Sequence, residues 1–299
     1  MTPEDLIRRL VRRADAIVTA TDPVGLRAAR TLMSDLRRAD TILASRLAKI
    51  ADTTRFTARQ IAGYRAQIRA VLATVEPQLL GHTTRVARAA MDFGARSAIQ
   101  ELTSIEAAFA AEMGRPAQVA SPIRLDLVTQ NVETSLLRNQ ASSVRRYGVA
   151  MIQAFEREMR VGYLAGDTQR QVVDRMLANG FVAKRSWAWR IVRSESAAAM
   201  NSAKHEALKT QNEVDPGHPV HKKILATFDK RTAYDSKAVH GQIRAVNDTF
   251  LDGLGRVYLY PPARPNDREV IIPWHPNWPD HGFTRMLGNP AAPNARPRR

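Results

Sequence analysis

The chain of 299 residues contains no cysteine. This excludes disulfides, thiolate metal ligands and a cysteine nucleophile, and it leaves the redox compartment unreadable. There is no run of about 18 uncharged apolar residues, the length a membrane-crossing helix needs. The opening MTPEDLIRRLVRR places charge in every turn and reads as an amphipathic start rather than a signal peptide, so a soluble protein is expected. Acidic side chains are scarce. Asp+Glu number 29 against 45 Lys+Arg, for a formal net charge of +16 and a pI near 10.9. A field of that sign draws polyanions through counterion release, and nucleic acid is the first candidate partner. The preference for Arg over Lys, 37 of the 45 bases, is also what GC-rich coding produces and carries no function by itself. With 44% hydrophobic residues the chain can bury a sizeable core, and its length suits two domains or one domain with a long extension.

Apolar residues recur at helical spacing through the first two thirds. Thr2, Pro3, Glu4 and Asp5 start a helix carrying Leu6, Ile7, Leu10, Val11, Ala14, Ile17 and Val18. Asp22-Pro23 starts a second, running through Leu26, Met33, Leu36, Leu43, Leu47 and Ile50. A third is expected over Ile61–Val75, stopped by Pro77, and a fourth over Val86–Phe109, ending near Gly114. After the Pro116 and Pro122 break the pattern resumes at Leu125 and continues through Met159. Gly166-Asp167-Thr168 ends one helix and caps the next, which Asn179-Gly180 breaks. Lys184–Thr210 has the strongest helical pattern, with small residues Ala197, Ala198 and Ala199 at its centre that admit a close neighbour.

Past Gln211 the apolar runs become short and β-like: Ile224–Phe228, Val257–Tyr260 and Val270–Ile272, with Pro261, Pro262 and Pro265 between the last two. The expected fold is mainly α with a smaller α+β C-terminal module, an elongated helical bundle followed by a compact mixed domain. In sequence order the segments are 1–120 (long helices), 121–210 (further helices), 211–288 (the α+β module) and 289–299 (a basic tail).

Candidate chemistry concentrates after residue 217. His218, His221, His240, His275 and His281 invite a metal, but their spacing puts no pair on one helix face, and the reading is no metal and no cofactor. Asp229, His240 and Ser236 invite a hydrolytic triad, but Ser236 lies in no nucleophile context, and no catalytic residue is assigned. Arg193, Ser194, Glu195 and Asn201 share one helix and read as structural. Trp187, Trp189, Trp274 and Trp278 read as buried or interface anchors before base-stacking groups.

Three local patterns carry a resemblance. The helix, Gly-Asp-Thr, helix unit is followed by R-x-x-R-S-E-x-x-x-A-x-N-x-A over Arg190–Ala203. Asp229, Arg231 and Thr232 are followed by His240, Gly241 and Gln242. Pro261-Pro262 precede His275, Pro276 and Asn277. Together these resemble the Mu F-like (SPP1-type) phage head morphogenesis family over roughly residues 140–281. Where many relatives carry cysteine, this chain has Ala233, Ser236, Trp278 and Asp280, so no metal or disulfide is carried over. The resemblance implies a non-enzymatic minor capsid protein at the portal vertex inside the virion, made in the host cytoplasm and assisting assembly, DNA packaging or ejection. Its implied partners are the portal protein, a major capsid or scaffolding protein and double-stranded DNA without sequence preference, with no membrane during assembly. The alternatives are a DNA-processing or toxin-like enzyme on the same module, or a free-standing DNA-binding protein.

Overall fold

A computed structural model describes residues 30–49, 51, 58–119, 122–178, 185–227, 232–264 and 267–275. The expected first helix, the Asp22-Pro23 start, the Asn179-Gly180 break, Phe228–Arg231, Pro276, Asn277, Trp278, His281 and the tail lie outside the described residues.

The chain is mainly α with a smaller α+β module. Its elements are α1 (helical residues 30–49), α2 (Ala58–Met113), α3 (Pro122–Ala165), α4 (Gln169–Ala178), α5 (Arg185–Val214), β1 (His221–Ala226), α6 (Tyr234–Val239), β2 (Ile243–Ala245), β3 (Phe250–Leu251), β4 (Val257–Tyr258) and β5 (Glu269–Trp274). β1 is the middle strand of an antiparallel sheet ordered β2-β1-β5, and β3 pairs with β4.

Backbone contacts gather Gly25–Arg85 with Leu137–Val192, and Val86–Leu136 with Arg193–Arg299, into two units. The sheet therefore does not close on 211–288 alone. Its unit also takes helical residues from α2, α3 and α5.

The expected third and fourth helices are one, because α2 runs unbroken through Pro77. A proline inside a helix removes one N–H and crowds the carbonyl four residues back. Here both Pro77 and Ala73 are exposed, so that carbonyl can turn to water. The opposite face carries Ile68, Val71, Leu72, Val75 and Leu79, all buried, and this stripe keeps the helix going. Gly114 (φ 63°) then ends it, with Arg115 N–H bonded to Ala110 O at 2.9 Å in a left-handed cap. Gly166 (φ 74°) ends α3 in the same way, with Asp167 N–H on Gly162 O at 2.9 Å. Thr168 and Gln171 next cap α4 reciprocally, Thr168 N–H on Gln171 Oε1 at 2.8 Å and Gln171 N–H on Thr168 Oγ1 at 3.3 Å.

In the first unit α2 holds α1, α3 and α4 through His82–Asp35 (2.6 Å), Arg65–Glu156 (2.8 Å) and Tyr64 Oη–Gln169 Oε1 (2.8 Å). In the second, α2 meets the alanine-rich centre of α5 so closely that a Cβ on Gly94 would stand 2.6 Å from Met200 O. Two apolar layers cover the sheet. Leu225, Val270, Ile272 and Trp274 join Ala87, Met91, Ala199 and Ala203, while Ile224 and Ile271 join Leu102, Leu208, Val239 and Phe250. Adjacent strand residues enter different layers, as the two-residue period requires.

Replacing Pro77 by Ala restores the missing donor and removes the ring. Thermal or denaturant unfolding of Pro77→Ala is expected to show a gain of about 1–3 kcal/mol. A loss would mean that the native packing uses a bend at this proline.

Candidate functional site

The residues that carried the family resemblance meet the sheet at particular backbone groups. β1 begins at His221, three residues earlier than its apolar run suggested, because two lysines are buried within it. Lys222 donates to Val246 O and Leu259 O, both at 2.7 Å, and its ammonium stands 5.1 Å from the Phe250 ring centroid. Burial lowers its pKa to about 8. Lys223 stands 3.7 Å over the Trp274 ring.

β5 follows β1 in register from His221↔Trp274 to Ala226↔Glu269, which leaves its outer edge to be covered. The side chain of Asn201 on α5 covers it. Its Nδ2 donates to Glu269 O at 3.1 Å and its Oδ1 accepts from Ile271 N–H at 3.0 Å, as a neighbouring strand would. One turn along, the Lys204 ammonium meets the Glu101 carboxylate of α2 at 2.8 and 3.0 Å and Ile271 O at 3.3 Å. Both side chains of this ion pair are at most 1% exposed. Ser97 Oγ supplies a further donor to Glu101 at 2.8 Å.

On the other side of β1, His240 Nδ1 accepts from Ala226 N–H at 2.9 Å, which places its own ring proton on Nε2. Gly241 (φ 84°) donates to Ile224 O at 2.8 Å, and Gln242 O accepts from Ile224 N–H at 3.1 Å. The Gln242 carboxamide then covers the edge of β3, with Nε2 on Leu251 O at 2.6 Å and Oε1 accepting from Leu251 N–H at 3.3 Å. Thr232 donates its hydroxyl to Thr227 O. Thus Thr232, His240, Gly241 and Gln242 all bond backbone at or near the Ala226 side of the sheet; Asp229 and Arg231 are outside the described residues. Arg193 and Glu195 occur earlier on α5, half-buried and buried.

His275 stands at the opposite end of the sheet, just past Trp274. Burial lowers its pKa to about 4, His221 and His218 reinforce the effect, and Glu106 opposes it. In the same unit Arg115 pairs with Glu106 at 2.6 Å and with Asp215 at 3.3 Å, and Asp215 accepts from His218 at 3.0 Å. Among the described residues no three His, Asp or Glu side chains are grouped to hold a metal.

A second cluster gave no sequence signal. Asp235 is held by Arg264 Nη1 at 2.9 Å and by Arg256. Arg256 Nε also reaches Asp252 at 2.6 Å, and Arg264 Nε reaches Asp267 at 2.6 Å. Ser236 Oγ, offered above as a nucleophile candidate, accepts from Arg264 Nη2 at 3.0 Å. These groups border a polar cleft of about 30 Å³ lined by Thr227, Thr232, Ser236, Arg264, Asp267 and Glu269. Burial pushes Glu269 up to about 7 and Asp267 adds to the rise, while the hydroxyls of Ser236 and Tyr258 oppose it. The acids and arginines of the cluster come from α6, the turns between β3, β4 and β5, and β5 itself, over residues 235–269, so no linear spacing marks them.

No protein-family model, curated protein or solved structure matches the chain. The fold and site define a helical protein with a small α+β module, in which one side-chain amide covers the β5 edge of the three-stranded sheet and another covers β3 of the two-stranded pair.

Removing the Asn201 carboxamide strands the Ile271 N–H and the Glu269 C=O in the interior. Asn201→Ala should cost about 1–3 kcal/mol in denaturant unfolding. A loss below about 0.5 kcal/mol would show that the β5 edge does not depend on it.

Glu269 has a raised folded pKa, so the folded state binds its proton more tightly than the unfolded state does. Its contribution to stability is full below about pH 4.5 and is lost as pH rises through about 7. Glu269→Gln imitates the protonated form at every pH. The stability difference between variant and wild type should therefore move in the variant's favour between pH 5 and pH 8, by at most about 3 kcal/mol. Parallel stability–pH curves for the two proteins would contradict the assignment.

Proposed function

We propose that the chain is a phage minor head protein that associates with the portal vertex inside the capsid and assists head assembly, DNA packaging or ejection. One observation supports this reading most. Of the residues behind the family resemblance, Asn201, Thr232, His240, Gly241 and Gln242, spread over some forty positions, all bond backbone of the three-stranded sheet, its adjoining turn or the β3–β4 pair. A set of residues with a shared structural task is what a signature for a fold module requires. The portal protein is the principal partner, with docking through the helical part of the chain and duplex DNA as a second partner.

The Glu269 cleft favours an acid–base enzyme as the competing reading, because a carboxyl group with a pKa near 7 suits proton transfer. The cleft is assigned a structural role because the arginine and aspartates around it, Arg264 with Asp235 and Asp267, are committed to one another.

Co-expression of the full chain with a tagged portal protein should yield a complex that survives affinity and size-exclusion steps. Mass spectrometry of purified particles should find the chain in few copies. Glu269→Gln should be captured as well as wild type. Absence from both complex and particles, or a hydrolytic activity abolished by Glu269→Gln, would overturn the proposal.

A further inference from the structure

From Arg138 to Arg160, α3 buries one face and solvates the other. Gln140, Val144, Tyr147, Met151, Phe155 and Met159 are buried. Arg138, Arg145, Arg146, Arg157 and Arg160 are all exposed. At 3.6 residues per turn these five fall in one sector about 120° wide. The other exposed positions of this stretch, Ser142, Val149 and Gln153, are uncharged.

Its two carboxylates are engaged elsewhere, Glu156 by Arg65 at 2.8 Å and Glu158 by Arg175 at 3.7 Å. Among the described residues none of the five arginines takes part in an ion pair, and Arg146 donates only to Ser143 Oγ, at 3.0 Å. The described part of this unit carries 18 Arg and Lys against 7 Asp and Glu, so cationic charge predominates among its described residues.

Two features select the ligand. The row extends about 33 Å along the helix at about 1.5 Å per residue, close to the length of one turn of duplex DNA. Arginine forks match phosphate oxygens in pairs, and phosphate contacts position a duplex without reading its bases.

We propose that this face of α3 is a binding surface for the phosphate backbone of double-stranded DNA. It deepens the function proposed above by locating the DNA contact, and it rests on that reading only for the identity of the polyanion. Binding is independent of base sequence and uses none of the residues of the sheet or its cleft.

The test uses the full chain and two unrelated 30-base-pair duplexes, with fluorescence anisotropy followed over a salt titration. Wild type should bind both alike, with log K falling steeply as log salt rises. Replacing Arg138, Arg145, Arg146, Arg157 and Arg160 by Gln should flatten that slope by about 4.5, near 0.9 for each phosphate no longer neutralised. A control replaces Arg30, Arg37, Arg38, Arg46 and Arg69, also exposed, and removes the same charge. Its slope should stay close to that of wild type. Equal flattening in the two variants would show a general charge effect and overturn the surface. Should the five-fold variant not fold, Arg145→Glu with Arg146→Glu must weaken binding at least ten-fold at 0.1 M salt, and an unchanged affinity refutes the proposal. Binding to phosphatidylserine vesicles but not to duplex also overturns it. Portal capture of the same proteins separates the two ideas. Capture without duplex binding defeats the surface alone, and duplex binding without capture defeats the portal reading alone.

Discussion

The ammonium of Lys204 is buried between two helices and a strand, and a charge in that position cannot be left uncompensated. Glu101 compensates it from α2, and Ile271 O takes a further proton of the same ammonium from β5. The three elements can adopt only the spacing that satisfies all of these bonds. Gly94, where no Cβ fits against Met200, allows α2 and α5 the approach this needs. Asn201, one turn from Lys204, then fixes β5 along its edge, so that position and register of the sheet follow from one face of α5.

A sheet of three short strands has two edges and little area, and such small sheets depend on packing partners for stability. This one recruits side chains in place of further strands. Asn201 serves β5 and His240 serves the N–H of Ala226, while Gln242 serves β3 of the neighbouring two-stranded pair. The turns beyond β3 are held by Asp235, Asp252 and Asp267 with Arg256 and Arg264, where each arginine bridges two carboxylates. The fixed angles of the guanidinium donors make such a network directional as well as attractive. Glu269 lies beside it without a full cationic partner of its own, and burial accordingly favours its protonated form.

The helical unit is built differently. Its inner faces are mainly apolar and its outer faces carry arginine, with acids engaged in helix-to-helix bonds such as Arg65–Glu156 and His82–Asp35. Fold stability and surface charge are therefore separable there, and a cationic surface can be kept for a partner without disturbing the interior.

The helical character of the first two thirds was determined by the sequence alone, because apolar residues at three- and four-residue spacing leave a solvated face only in a helix. Positive-φ ends at Gly114 and Gly166 were legible for the same local reason. The continuity of α2 through Pro77 was not, since whether a proline ends a helix depends on where its freed carbonyl points and on what the opposite face buries. Nor was the start of β1, since Lys222 and Lys223 read as solvated until Val246 O, Leu259 O and the Trp274 ring are brought to them. Thr232, His240, Gly241 and Gln242 stood out as a pattern, but their tasks became definite only when each met a backbone group from another element. The pairing of Glu101 with Lys204, 103 residues apart, and the ring of Asp235, Asp252, Arg256, Arg264 and Asp267 were decided by tertiary structure alone, because a buried charge selects its partner by distance in space and leaves no spacing along the chain.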